Sequence, residues 1–83
     1  NRRGALMTTV RFFAAAEDAV GAATLQRAEP TLGDLRASLE LEHPALVALL
    51  PRCAVLVDGA RVDDTTVLAA DAIIDVLPPF AGG

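Results

Sequence analysis

The spacing of apolar residues along this 83-residue chain changes from a period of two to a helical period and back to two. Residues 8–14 are rich in β-branched and aromatic types, with Val10, Phe12 and Ala14 on one face and Phe13 on the other. Alternation of this kind indicates a strand that is buried on one side. The fold is therefore expected to begin with a strand.

One long helix is predicted in the middle of the chain. Thr31 and Asp34 form an N-cap pair, and leucines follow at helical spacing, at positions 32, 35 and 39. Pro44 ends the pattern, because the residue before a proline is pushed out of the helical region. We expect a helix from Thr31 to about Glu42 that packs through its leucines.

Three strands are predicted after the helix. Asp58-Gly59 is typical of a two-residue type I′ hairpin turn, and the segments on either side of it, residues 53–57 and 60–62, are largely apolar. Residues 72–77 form a nearly continuous apolar run, which is typical of a central strand covered by a helix.

Weaker patterns fill the rest of the chain. Residues 15–20 are rich in alanine and precede Gly21, which suits a short helix or a turn closed by a C-cap glycine. Residues 23–29 alternate weakly and indicate a second strand, paired with the first as a hairpin. Residues 45–50 are either a further helical turn or a buried connection.

The predicted order is β, β, α, β, β, β, which indicates the α+β class. A β-grasp, the fold of ubiquitin-like proteins, satisfies this order. It has a mixed sheet with the first and last strands parallel at its centre and one main helix packed on one face. We assign residues 7–77 to this domain and residues 78–83 to a protruding tail. Residues 1–6, which precede Met7, are interpreted as an added or upstream extension.

Composition narrows the class of function. The chain is 53% hydrophobic, which is enough for a small core, and its formal net charge is −4. An acidic chain without clustered basic residues argues against binding to nucleic acid. No long apolar run or leader is present, so we expect no membrane association and a cytosolic protein.

The last six residues carry the chemistry that the sequence suggests. They read Pro78-Pro79-Phe80-Ala81-Gly82-Gly83. The two prolines fix φ at about −65° and stiffen the root of the tail. Because glycine has no Cβ, the tip fits a channel too narrow for side chains. We therefore predict that the carboxylate of Gly83 is the functional group, delivered into the active site of another enzyme.

Two motifs resemble those of a known family. They are Phe12-Phe13-Ala14 followed by Gly21, and the run Asp75-Val76-Leu77-Pro78-Pro79-Phe80-Ala81-Gly82-Gly83. With the β-grasp order, they resemble the ubiquitin-like sulfur carriers, and among these the small subunits of molybdopterin synthase (the MoaD type). Carriers for thiazole or cysteine formation share the fold and the Gly-Gly end. The early Phe-Phe-Ala favours the molybdopterin branch.

The resemblance implies a two-step use of Gly83. A partner similar to ubiquitin-activating enzymes would use ATP and Mg²⁺ to adenylate its carboxylate, and a persulfide or sulfide donor would then leave a thiocarboxylate. The large subunit of molybdopterin synthase would hold the pterin precursor and accept the sulfur. The chain itself would bind no cofactor and no metal.

Several side chains are candidates for partner binding. If Val10, Phe12, Ile74 and Val76 form the core, alternation leaves Phe13 and Leu77 exposed beside the root of the tail, as an apolar patch. Alternatively, the short alanine-rich helix covers them. Arg61 either borders this patch or is an ordinary solvated arginine. Phe80, with Pro78 and Pro79, is expected to enter a partner pocket.

Other residues receive no chemical role. Cys53 is interpreted as a small buried hydrophobe rather than a sulfur relay, and His43 has no second ligand at metal-binding spacing. Asp63, Asp64 and Asp71 lack the spacing of a calcium loop. Two other functions stay open: a ubiquitin-like modifier joined to lysines of other proteins, and a plain β-grasp interaction domain.

Overall fold

The computed structural model describes residues 7–79. These residues form β1 (Thr8–Phe12), α1 (Ala15–Val20), β2 (Thr24–Arg27), α2 (Leu32–Glu42), α3 (Leu46–Leu49), a 3₁₀ turn (Leu50–Arg52), β3 (Ala54–Val57), β4 (Ala60–Arg61) and β5 (Ile73–Leu77). Residues 1–6, interpreted above as an extension, lie outside the described range.

The strands form one mixed sheet in the order β2-β1-β5-β3-β4. β1 and β5 are parallel neighbours, with Val10 opposite Ile74 and Phe12 opposite Val76. The other neighbouring strands pair antiparallel. The predicted β-grasp, with the first and last strands parallel at the centre of the sheet, is confirmed.

The core lies between one face of this sheet and the helices. Alternate residues of β1 and β5 point into it, and each is at most 2% exposed: Val10, Phe12, Ile74 and Val76. α2 adds the three leucines at positions 32, 35 and 39, each 1% exposed. Burying one such side chain contributes roughly 1.5–3 kcal/mol, so these contacts fix which side of the sheet the helix covers.

The predicted N-cap of α2 is confirmed. The Thr31 hydroxyl accepts a hydrogen bond from the backbone N–H of Asp34 at 3.1 Å. A loop from the other half of the chain caps two further donors: the N–H groups of Leu32 and Gly33 donate to the carbonyl oxygens of Thr66 and Asp64 at 3.0 and 2.9 Å. The helix N-terminus is thereby joined to the connection before β5.

The end of α2 also follows the prediction. His43 is its C-cap and donates its N–H to the Leu39 carbonyl at 2.9 Å, and Pro44 follows. Of the two alternatives for residues 45–50, the helical turn is correct, because α3 forms there. Leu46 and Leu50 are at most 1% exposed and complete the core at this end.

The hairpin between β3 and β4 has the predicted turn. Asp58 and Gly59 both have positive φ, at 49° and 84°, as a type I′ turn requires. The Asp58 carboxylate accepts the backbone N–H of Ile73 at 2.9 Å, which joins the turn to the start of β5. β4 itself ends at Arg61, one residue earlier than predicted.

The prediction for the end of β1 is wrong. The alternation was extended to Ala14, but the strand ends at Phe12, and Ala14 is exposed with φ 52° and ψ −124°. The chain has to turn sharply here so that α1 can place Ala16, which is fully buried, against the core. Gly21 then closes α1 with φ 83°, as expected.

Candidate functional site

The root of the tail lies at the centre of the sheet. β5 runs between β1 and β3, and its last residue, Leu77, is paired with Ala54. Pro78 is half-buried and Pro79 is exposed. The predicted tail residues Phe80, Ala81, Gly82 and Gly83 lie outside the described residues.

The sheet face opposite the core, here called the open face, is covered by no element within residues 7–79. The strand registers place the following residues on it: Thr9, Arg11, Phe13, Thr24, Gln26, Ala54, Leu56, Arg61, Ile73, Asp75 and Leu77. All of them are exposed or half-buried. Pro78 and Pro79, the root of the tail, therefore follow directly on a strand whose side chains form part of the open face.

Phe13 and Leu77 are brought together at the tail end of this face. The backbone N–H of Phe13 donates to the Val76 carbonyl at 3.2 Å, so Phe13 continues the parallel ladder at the level of Leu77. Phe13 is 39% exposed and Leu77 is half-buried. The short helix α1 does not bury the ring, because its buried residue, Ala16, faces the opposite side.

A bidentate ion pair joins the two central strands on the open face. The Arg11 Nε lies 2.5 Å from Asp75 Oδ1, and its Nη2 lies 2.8 Å from Oδ2. Because the Asp75 carboxylate accepts these hydrogen bonds, the pKa of Arg11 is raised above its usual value. The guanidinium carbon also lies 6.0 Å from the centre of the Phe13 ring, at the limit of a cation–π contact.

Sequence analysis did not single out Arg11, and it named Asp75 only as the first residue of the C-terminal motif. A signal was present, since alternation places both on the face of Phe13 and Leu77, and parallel pairing of the first and last strands sets them side by side. Arg11, Asp75, Leu56 and Arg61 form a row across the sheet, with one residue on each of the neighbouring strands β1, β5, β3 and β4. Arg61 therefore lies at the far edge of the open face, away from Phe13.

The remaining features of the described residues that bear on chemistry are possible metal ligands and reactive side chains. No group of three or more His, Cys, Asp or Glu side chains in this range could hold a metal ion. Cys53 is half-buried, its Sγ donates to the Leu49 carbonyl at 3.3 Å, and burial raises the pKa of the thiol. Within the same range, no helix is long and apolar enough to cross a membrane.

Three solved structures show what the chain is similar to. The first is a chain of the complex of subunits 1 and 2 of molybdopterin-converting factor from Helicobacter pylori 26695. It is 31% identical, with a TM-score of 0.70 over 93% of this chain and 99% of that one. The second, SAMP1 from Haloferax volcanii, is 24% identical, with a TM-score of 0.78 over 93% and 99%.

The third, a putative molybdopterin converting factor subunit 1 from Pyrococcus furiosus, is 17% identical, with a TM-score of 0.81 over 90% and 99%. At these identities the second and third structures show the fold alone. No curated protein matches the chain. The family model described as the ThiS family matches residues 10–83, nearly the whole sequence. The chain therefore belongs to the ThiS family.

Proposed function

We propose that this chain is a carrier whose Gly83 carboxylate is activated by a partner enzyme, converted to a thiocarboxylate and used as a sulfur donor in molybdopterin synthesis. The observation that carries the proposal is the position of the tail root. The tail continues from the central strand β5, beside an open face that has apolar residues at its edge. A partner that covers this face would have the start of the tail next to it.

The chemistry belongs to the tail and to its partners. A carboxylate is a poor acyl donor, so an oxygen of Gly83 attacks the α-phosphorus of ATP and releases pyrophosphate, with Mg²⁺ on the activating enzyme neutralising the phosphates. Hydrosulfide then attacks the acyl carbon and expels AMP, which leaves the thiocarboxylate. With a persulfide protein as donor, an additional thiol is needed to cleave the acyl disulfide. These steps need ATP, and the cytosol is the compartment that we propose for them.

Two observations favour the molybdopterin branch. The sequence carries Phe12-Phe13-Ala14, and the 31% identical relative comes from a complex of subunits 1 and 2 of molybdopterin-converting factor. By analogy, we propose the large subunit of molybdopterin synthase as the partner that accepts sulfur. Phe13, Leu77 and the prolines at 78 and 79 would contact it, and Phe80 would enter one of its pockets.

A second function shares the first step. SAMP1, a small archaeal modifier protein, has the same fold, so the activated Gly83 could instead be transferred to lysines of other proteins. A ladder of covalent conjugates in cell extract that withstands reductant would favour this modifier function. The ThiS family match also leaves carriers for thiazole or cysteine formation as alternatives.

The test is ATP–pyrophosphate exchange catalysed by the ubiquitin-activating-like adenylyltransferase encoded in the same genome. The wild-type chain should support exchange. A variant lacking Gly83 and a variant with one residue added after it should not, because the acyl group is then missing or misplaced. Exchange that persists equally in both variants would contradict activation at Gly83.

A further inference from the structure

The open face differs in charge from the rest of the molecule. Its charged residues are Arg11, Arg61 and Asp75, so the face carries a net charge of +1, whereas the whole chain carries −4. All remaining charges together therefore sum to −5. A partner that meets this face encounters a small net positive charge on an acidic protein, and opposite potentials across an interface favour association.

Arg11 retains hydrogen-bonding capacity after pairing with Asp75. A guanidinium has five N–H donors, and the bidentate contact uses two of them, on Nε and Nη2. The side chain of Arg11 is 46% exposed, so its other donors are solvated in the free chain. A partner that covered them without supplying acceptors would leave buried donors unpaired, which disfavours binding.

Arg61 provides a second cation in the same row. It is exposed and forms no ion pair with any residue in the range 7–79. The backbone of Arg61 lies three strand spacings of about 4.8 Å from the backbone of Arg11, or about 14 Å in all. Leu56 lies between them, and the apolar Ile73 and Phe13 are 38% and 39% exposed on either side of the row.

We propose that Arg11 and Arg61 determine which surface docks on the open face, each by pairing with a carboxylate group of the adenylating enzyme. This inference rests on the proposed function, and it commits to the adenylating enzyme because the carrier and the modifier both need that partner. Asp75 positions Arg11: the fork geometry fixes the guanidinium plane, and the free Nη1 group is directed away from Asp75.

A purely structural role for the ion pair has a different consequence. Cross-strand ion pairs at a protein surface contribute little to folding, so either orientation of the pair should leave the stability of the chain close to that of the wild type. Exchanging the two residues therefore separates the roles. The double variant Arg11→Asp, Asp75→Arg keeps the pair, the net charge and the apolar residues, but moves the cation from β1 to β5.

The experiment measures the dissociation constant of the full chain for the adenylyltransferase, without ATP, together with urea unfolding of the chain. We expect the exchanged variant to unfold close to the wild-type urea midpoint and to bind about tenfold or more weakly, since it loses charge-assisted hydrogen bonds to the partner. Arg61→Gln, at an exposed edge position, should also weaken binding. Wild-type binding should weaken with added salt.

Arg52→Gln is the matched control, because it removes one exposed arginine from the 3₁₀ turn and not from the open face. It should bind like the wild type. Wild-type affinity in both the exchanged variant and Arg61→Gln, or no binding by the wild-type chain, would overturn the inference. Binding with the expected pattern but without pyrophosphate exchange would overturn the proposed activation and leave the docking inference supported.

Discussion

At the scale of single residues, Ala14 forms the sharp turn that directly follows Phe13 and leads into α1. Its φ of 52° with ψ of −124° lies in a region that glycine adopts far more easily than alanine. The residues around it hold this turn in place, since the Phe13 carbonyl accepts the Ala16 N–H at 3.0 Å. Strain of this kind costs of the order of 1–3 kcal/mol.

Substitutions at Ala14 should report this strain. Ala14→Gly relieves it but adds up to about 1 kcal/mol of unfolded-state entropy, so we expect the free energy of unfolding to rise by about 0–2 kcal/mol. Ala14→Val should lower it by more than about 1 kcal/mol, because a β-branched side chain fits positive φ worst. Urea unfolding of both variants gives the comparison. A glycine variant less stable than the valine variant would be inconsistent with strain at Ala14.

Arg27 makes folding stability depend on pH. Its guanidinium donates to Glu29 at 2.5 Å and to Glu42 at 2.6 Å, which ties β2 to the end of α2 and lowers the pKa of both carboxyl groups. A carboxyl group with a lowered folded pKa stabilises the fold above its unfolded value of about 4.3, and this stabilisation is lost as pH falls through the folded pKa.

Arg27→Gln should therefore flatten the pH dependence. We expect the urea midpoint of the wild type to fall more steeply than that of the variant below about pH 5, where carboxyl groups with ordinary pKa values begin to protonate. Unfolding curves from neutral pH down to about pH 3 would provide the measurement. Parallel curves for the two proteins would show that Arg27 does not set these pKa values.

At the scale of elements, α2 and the loop at residues 63–66 form one packed unit. The point of closest approach is Gly33: a Cβ added there would lie 3.0 Å from Asp64 Cβ and 3.1 Å from the Asp64 carbonyl oxygen. That oxygen already accepts the Gly33 N–H, so it has little freedom to move away. The absence of a side chain at position 33 allows the loop to cap the helix.

Gly33→Ala should therefore destabilise the fold, although alanine is the better helix former by about 1 kcal/mol. We expect a net loss of roughly 1–2 kcal/mol, because the Cβ and carbonyl oxygen of Asp64 move only when the backbone of the loop moves. Ala37→Gly, at an exposed site of the same helix, calibrates the propensity difference in this context. Propensity alone predicts that Gly33→Ala is more stable than the wild type, and that result would contradict the close packing.

The elements with a strong local signal could be predicted from the sequence. α2 has an N-cap, a leucine period and a terminating proline, and the Asp58-Gly59 turn has its own residue signature. The Arg11–Asp75 pair and the contact of Gly33 with Asp64 could not be predicted in this way, because the partners are 64 and 31 residues apart and meet only in the assembled sheet and loop. Ala14 was misassigned because alternation alone does not show where a strand must turn.

At the scale of the whole molecule, we expect folding and activity to be separable. Among the residues that the structure describes, the hydrophobic core extends from Val10 to Val76, and the last strand ends at Leu77. Removal of Gly83 should therefore change the free energy of unfolding by less than about 0.5 kcal/mol, as for a substitution away from any packed contact. Urea unfolding of the shortened chain checks this, and a clearly less stable protein would show that the tail contributes to the fold.

The central claim is that Gly83 is the reactive group of an otherwise non-catalytic chain. It is tested most directly by intact-mass analysis after incubation with the adenylyltransferase, ATP and a sulfide or persulfide donor. We predict that the mass of the chain increases by the difference between one sulfur and one oxygen. Fragmentation should locate this increase at Gly83, and it should be absent without ATP. An unchanged mass in a chain that still binds its activating enzyme would contradict it.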